Sequence, residues 1–446
     1  VDLEGTELKS TGEAGGTKFL REDGDGTCSW QAAAGGIASV AADGSPQLGG
    51  DLDLNGNNID FPTTANISDC LDEDDMASDS ATKLATQQSI KKYVDDNASA
   101  AVKNVIINGD FNIWQRGTSF TSIAHSSFFA DRWRYQEQSV SVHNVSRSAD
   151  VPTLAESGHL SNYSCLVDCT TIDASIGSGD NVRIQQRIEG FNFAPLAQKA
   201  MKLSFWHKHT KTGTYCVAVN NGGEDRSYVV EYTQTTTDTW EKATIDITAS
   251  PSAGTWDYVN GIGLILIFTI AAGSQFETTA DAWQTGNYFS TTNQVNATDN
   301  IANNFRIAQV QLETGSSASD FETKNHADEL ARCQRYYEVL NGEGVAHSII
   351  NLGHATNAAS SEMWSHWLVE KRVLPTITMS AAADFRLLGP TGNALDNITG
   401  VTFSLITLRG CRTTVNLDAD NLGTGDVVTL RDDGNGNARL YISAEL

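Results

Sequence analysis

The chain has 446 residues and 40% hydrophobic content, enough for about three domains with real cores, which excludes a disordered polymer. Its 30 Lys and Arg stand against 55 Asp and Glu, a formal charge of −25 that repels phosphate backbones and anionic bilayers. Nucleic acid is therefore excluded as a partner, and membrane insertion is not expected, because the longest apolar run, IGLILIFTIAA at Ile262 to Ala272, is too short to span a bilayer and reads as a buried strand.

In chain order, residues 1–78 are short Gly- and Asp-rich pieces in which Phe19, Leu20, Trp30, Leu48, Leu52, Leu54 and Ile59 are too sparse to close a core alone. Packing around an axis shared with identical copies, as in a fibre shaft, would bury them. Residues 79–103 lack Gly and Pro and place Leu84, Gln87, Ile90 and Val94 at three- and four-residue steps, which predicts a short coiled coil through those positions, with a solitary connector helix as the alternative. A helix of about fifteen residues is marginal alone in water, so it needs partner helices. Residues 104–323 alternate β-rich segments (MKLSFWHKH, GTYCVAVNN, RSYVVEYTQ, WEKATIDIT, NFRIAQVQLE) with Gly, Asn, Asp and Ser turns, the spacing of a jelly-roll β-sandwich. Residues 324–340 carry a stripe of Leu330, Cys333, Tyr337 and Leu340 behind an Asn325 cap, predicting a linker helix. Short strands return in 341–446, predicting a second, smaller sandwich.

The seven cysteines (Cys28, Cys70, Cys165, Cys169, Cys216, Cys333, Cys411) are odd in number and scattered, unlike a zinc site or a secreted disulfide scaffold. Cys165 and Cys169 read as two thiols of one strand. This usage fits assembly in a reducing cytoplasm.

The segments VIINGDFNIWQRGTSF and FFADRWRY, followed in order by LSFWHKH, RSYVVEYTQ, TWEKATIDI, GSQFETTADAWQTGNYF, IAQVQLETGSSASDFE and ELARCQRYYE, resemble the β-sandwich module of tailed-bacteriophage tail-fibre and receptor-binding proteins. LGGDLDLNGNNI and ATQQSIKKYVDDN are similar to shaft and trimerisation segments of that class, and VEKRVLPTITMS with the terminal SAEL to a fibre tip domain. The resemblance implies a mainly β, elongated homotrimeric fibre located in the virion and assembled in the host cytoplasm. Its N-terminal end would meet virion tail or baseplate proteins, and its sandwich and tip would adsorb to a host surface glycan or protein.

The module is also similar to carbohydrate-binding jelly rolls, where an aromatic face stacks on a sugar and polar groups bracket it. Trp256, Trp283 and Tyr288, in turn-rich stretches, and Trp364 in the tip are the glycan-contact candidates, although Trp364 and Trp367 together are also what a small core needs. Trp114, Trp133, Trp206 and Trp240 lie in the family words and read as framework. Asp131 and Arg132 beside Trp133 read as a buried ion pair. By analogy with jelly rolls that hold calcium, Asp110 and Glu313 are the metal candidates; no other cofactor is expected, and DGDGT (23–27) and DDGNGN (432–437) read as tight turns.

No nucleophile elbow, metalloprotease, phosphate-loop or dinucleotide fingerprint is present, and no enzyme is expected. Two alternatives stay open, a structural virion fibre (collar, tail or capsid appendage) without receptor contact and a glycan depolymerase. The low pI also suits a saline host environment.

Overall fold

The computed structural model describes residues 18–22, 24, 26–32, 69–73, 76–78, 80–98, 104–315, 317–341, 344–390 and 397–446. They fall into two compact units, Val1–Lys92 and Tyr93–Leu446. Leu48, Leu52, Leu54 and Ile59, expected in a shaft, lie outside the described residues.

In the first unit, Lys18–Glu22 and Cys28–Ala32 form an antiparallel hairpin whose turn carries Gly24 and Gly26 at φ of 84° and 85°, a backbone that suits glycine. Of DGDGT, Gly24, Gly26 and Thr27 are described and lie between the two strands; Asp23 and Asp25 lie outside the described residues. Asp69–Leu71 pairs in parallel with Lys83–Ala85, and the chain then enters the helix Gln87–Ala98. Thr86 caps that helix: its Oγ1 accepts the Ser89 N–H at 3.0 Å and donates to Asp72 at 2.5 Å, while the Ser89 hydroxyl donates to the same carboxylate at 3.1 Å. The cap corrects the expected helix, which starts at Gln87 rather than before Leu84. Leu84 belongs to the Lys83–Ala85 strand, so only Gln87, Ile90 and Val94 of the expected stripe are helical.

The second unit is built on two six-stranded antiparallel sheets packed face to face. One has the order Glu241–Ile247, Met201–His209, Asn304–Thr314, Ser164–Thr171, Val142–Ser148, Ser119–Phe120. The other runs Trp283–Thr285, Arg226–Gln234, Gly213–Asn221, Ile262–Ala272, Asn181–Glu189, Trp133–Gln138. This is a jelly-roll-like sandwich, and the strands expected from alternation appear where the pattern puts them. Alternate residues such as Val217, Val219, Leu264, Leu266 and Phe268 meet Leu203, Phe205, Ile307 and Leu312 in one core. The Ile262–Ala272 strand lacks alternation because both of its faces are covered. Ile265 and Ile267 pack with Cys216, Ala218 and Val229 beneath Phe276, Tyr288 and Phe289 of the segment that follows it.

The framework aromatics sit as expected. Trp133 is wholly buried, stacks on Phe111 at 4.9 Å and donates to the Asn108 carbonyl at 3.0 Å. Asp131 and Arg132, however, do not pair with each other. Asp131 accepts from the Gln115 backbone and side chain at 2.7 Å each and lies 3.8 Å from Arg116. Arg132, at φ 71°, turns the other way to meet Glu445 and the Tyr336 ring.

The predicted linker helix is shorter than its stripe. Asn325 caps it as expected, accepting the Ala327 N–H at 2.9 Å, but the helix is His326–Gln334, and Tyr337–Leu340 is already a strand. That strand pairs with Leu440–Ser443, which also pairs with Thr376–Met379. The three strands cover a six-stranded sheet ordered Phe385–Leu388, Val427–Asp432, Ile349–Asn357, Ser360–His366, Gly410–Leu417, Ile398–Ser404, around a core that includes Trp367, Leu387, Val415, Leu430 and Ile442. Trp367 thus takes the core role.

Polar contacts lock the two β regions together. Glu189 accepts from Arg335 at 2.6 and 2.9 Å and from the Tyr336 hydroxyl at 2.6 Å, and Arg116 reaches Glu445 at 2.9 Å; within the C-terminal region, Lys371 pairs with Glu338 in full burial. Among the described residues no helix is long and apolar enough to cross a membrane.

Candidate ligand-binding faces

Trp256 and Trp283 come together, with ring centroids 5.8 Å apart at 72°, but they plug the edge of the sandwich core. Trp256 stacks on buried Phe193 at 5.2 Å, Trp283 leans on Tyr228 at 5.4 Å, and their indole N–H groups are used by the Ala253 and Thr248 carbonyls at 3.0 and 3.1 Å. Their rings are half-buried and their polar atoms satisfied. Tyr288 is not part of this group; it lies over the outer face of the second sheet, against the cluster that holds Ile265 and Ile267.

Trp364 stands apart from these three. It sits mid-strand in Ser360–His366 on the face turned away from the small core, with 41% of its surface exposed. Strand alternation places Glu362 and His366 on the same face, and the register sets Trp364 opposite Arg412. Arg412 pairs with Glu362 at 3.2 Å and donates to the Ser404 hydroxyl at 3.0 Å, which fixes a charged bracket beside the indole. Gly410 lets the ring lie flat here, since a Cβ at that position would fall 2.9 Å from the indole nitrogen. The ring borders a shallow groove of about 310 Å³ whose other side is Leu352 and His354. An exposed indole with a carboxylate, a guanidinium and imidazoles around it can stack on the C–H face of a sugar and hydrogen-bond its hydroxyls.

A second polar face was not legible in the sequence. On the outer side of the second sheet, alternation and register put Arg134 opposite Gln185, with Arg183 and Arg187 two residues to either side of Gln185 on the next strand. Asn220 stands opposite Ile265, itself opposite Arg187. The Arg183 guanidinium lies 4.1 Å from the Phe289 ring, and its Nε and Nη1 are buried without a hydrogen-bond partner, as are Arg187 Nε, Asn220 Oδ1 and Ser227 Oγ. Burial lowers the Arg183 pKa to about 10; Glu224 works against this, while Arg187 and Arg134 add to it. Arginines scattered among strand words show no sequence motif; only the sheet register brings them together.

The metal candidates occupy separate hydrogen-bond sets. Asp110 accepts from Ser161 at 2.5 Å, Asn112 at 2.9 Å and His159 at 3.0 Å, on the wall of a cavity of about 520 Å³. Glu313 is buried and accepts from Ser319 N and Oγ at 2.8 and 2.7 Å and from Gln311 at 3.0 Å. Among the described residues no three His, Cys, Asp or Glu side chains converge as a metal site. Cys165 and Cys169 share one strand, and Cys70, Cys165, Cys169, Cys216, Cys333 and Cys411 are free thiols, of which only Cys70 is exposed.

No family model matches the chain, and no curated protein is similar to it. Among solved structures it is similar to the enzymatically active domain of tailspike protein 4 of bacteriophage CBA120, at 12% identity over 44% of this chain and 21% of that one, with a TM-score of 0.24. It is also similar to a family 11 carbohydrate-binding module from Clostridium thermocellum in complex with a mixed-linked tetrasaccharide, at 10% identity over 46% of this chain and 99% of that one, with a TM-score of 0.24. The chain thus spans about a fifth of the tailspike structure, and the architecture rests on the strand order and packing described above.

Proposed function

We propose that the chain is a non-catalytic, glycan-binding fibre subunit of a tailed bacteriophage, assembled as a homotrimer and joined to the virion through its N-terminal part. The ordered motifs of the fibre module support the phage assignment. The single observation that carries glycan binding is the exposed Trp364 ring on a flat sheet face, bracketed by the Glu362–Arg412 ion pair. Three linked copies of so small a site make sense, because sugar contacts are individually weak and avidity multiplies them. Trimerisation is supported by Leu84, Ile90 and Val94, apolar side chains that are 51, 49 and 50% exposed in the single chain. A twelve-residue helix gains stability from partners that cover such residues.

A binding role is preferred to hydrolysis on a specific ground. Burial pushes the Asp131 carboxyl up to about 6, against the pull of Arg116 and Gln115, which is the range of a general acid. Asp131 is sealed in its hydrogen-bond network with no exposed surface, so a substrate cannot reach it.

The test uses the whole chain. Wild type is expected to run near three times 47.9 kDa and to retain host-range cells or their surface polysaccharide without releasing sugar. Trp364→Ala, at an exposed position, is expected to leave the melting temperature unchanged and to weaken retention about tenfold or more. Unchanged retention by folded Trp364→Ala refutes the Trp364 site. Failure of a trimeric wild type to bind any host polysaccharide moves the chain to the purely structural class, and released oligosaccharide makes it a depolymerase.

A further inference from the structure

We propose that the outer face of the second sandwich sheet, around Arg134, Arg183 and Arg187, is a second binding site, and that its ligand is an oligosaccharide bearing repeated anionic groups. The first ground is electrostatic. The chain carries −25 overall, yet this face collects three guanidinium groups, and among the described residues no carboxylate lies within ion-pair distance of any of them. The nearest acid acting on Arg183 is Glu224, exposed at the tip of a hairpin and tied to Asn287 at 2.8 Å, which in turn accepts from Asn220 at 2.8 Å. Glu445 acts likewise on Arg134 and Arg187 from beyond ion-pair distance, and three guanidinium groups against these two acids leave the cluster net positive.

The second ground is the unspent hydrogen-bonding capacity. Buried polar groups are normally paired, and leaving one unpaired costs about 1–3 kcal/mol. Here five such atoms from four residues face one stretch of sheet: four that can donate to an anion, Arg183 Nε and Nη1, Arg187 Nε and Ser227 Oγ, and the acceptor Asn220 Oδ1. Arg183 donates no hydrogen bond to a described residue and is held only over Phe289. Arg187 gives one N–H to the Leu446 carbonyl at 2.9 Å, and Arg134 one to the Ser126 carbonyl at 3.1 Å. An incoming oxyanion would complete these donors with charge-assisted bonds.

The spacing sets the ligand's size. Arg183 and Arg187 are four residues apart on one strand, roughly 13 Å between backbones, with Arg134 opposite the midpoint. A single small anion cannot span that row, whereas an oligomer with an anionic group on successive units can. Uronate carboxylates and glycan phosphodiesters share the chemistry. That the anion is carried on a sugar rests on the function proposed above; that an anion binds does not.

The experiment titrates the full trimeric chain with hexagalacturonate, with a glycerol phosphate hexamer and with neutral maltohexaose, in wild type, Arg187→Gln, Arg183→Gln and Glu224→Gln. At least one of the two anionic oligomers is expected to bind, with affinity falling as salt rises, and maltohexaose is not expected to compete. Whichever oligomer binds tighter identifies the source as carboxylate or phosphate. Arg187→Gln and Arg183→Gln should each weaken it about tenfold. Glu224→Gln, an exposed change that does not threaten folding, should tighten it several-fold by removing the competing acid. Absence of binding by both anionic oligomers, or binding unaltered in Arg187→Gln and Glu224→Gln, overturns the site. Trp364→Ala separates the two readings: loss of host retention in Trp364→Ala with oligomer binding intact supports two sites, and loss of both overturns the second.

Discussion

The loop 432–437 gives a sharp test of how the C-terminal sheet is held together. Asp432 ends the Val427–Asp432 strand, and its Oδ1 accepts backbone N–H groups from His347, Gly434 and Gly436 at 3.2, 2.7 and 2.9 Å, while Oδ2 accepts that of Ala438 at 2.9 Å. Burial alone would raise this carboxyl, but the four N–H donors outweigh it and hold the pKa well below the usual carboxylate range. Asp432→Asn keeps Oδ1 and turns an amide against the Ala438 N–H, losing one charge-assisted bond, so the cost is about 2 kcal/mol. Asp432→Ala leaves the two buried amides of Gly436 and Ala438 without an acceptor, and roughly twice that loss is expected. The sign with pH follows from linkage. A carboxyl with a lowered folded pKa contributes stability that is fully present above its unfolded value near 3.8 and is lost as pH falls toward the folded value. Urea unfolding followed by tryptophan fluorescence at pH 7 and at pH 3 measures both, and the gap between wild type and Asp432→Asn should shrink at the lower pH. The same titration with millimolar calcium or with a chelator should give the same midpoint, because the carboxylate is occupied by amides. An equal midpoint for wild type and Asp432→Ala, or a calcium-dependent rise, would refute the reasoning.

Two further predictions concern buried charge. Lys371 Nζ donates to the Gln334 and Val369 carbonyls at 2.5 and 3.0 Å as well as pairing with Glu338, so Lys371→Ala strands a buried carboxylate and should cost about 3–5 kcal/mol in urea unfolding. The double change Lys371→Met with Glu338→Leu should cost markedly less; equal costs would mean that packing, not charge, is at stake. His143 is buried, bonded to the Tyr135 hydroxyl at 2.8 Å, and burial pushes its pKa down to about 4. Its contribution is present above its unfolded value near 6.5 and lost as pH falls toward 4, roughly 3 kcal/mol over that window. Asp131, raised to about 6, works in the opposite direction over part of the same range, so the difference between wild type and His143→Gln isolates the histidine. Melting temperatures that fall in parallel for the two proteins between pH 6.5 and 4.5 would dismiss it.

Much of the fold was legible because periodicity of two is a strong local signal. Met201–His209, Gly213–Asn221 and Arg226–Gln234 appear with the bounds that their words suggest, and Ile262–Ala272, which lacks alternation, was legible as a short apolar run. The helix errors share a cause. Leu84 and Tyr337 fit a helical stripe by spacing, but each belongs to a strand that pairs with a distant segment, Asp69–Leu71 in one case and Leu440–Ser443 in the other. Local pattern cannot weigh a pairing partner 14 or about 100 residues away. The site candidates divided for a similar reason. Trp256 and Trp283 lie in turn-rich words, yet Phe193, remote in sequence, takes up a ring face, whereas Trp364 lies in a strand word and is exposed because nothing covers that side of its sheet among the described residues.

Ion pairs join the two β regions. Glu445, bonded with Arg116 and Arg132, ties the last residues of the chain to the sandwich, and Glu189, bonded with Arg335 and Tyr336, ties in the segment after the His326–Gln334 helix. Arg187, one of the three arginines of the polar face, itself donates to Leu446, so the anchor of the C-terminal region and the polar face share a residue. Trp364 and the arginine row therefore sit on a single compact unit. For the two proposed sites on one polysaccharide this would matter more than the strength of either. A fixed separation matched to the polymer makes the second contact effectively intramolecular, whereas a flexible joint would spread the same contacts over many unproductive geometries.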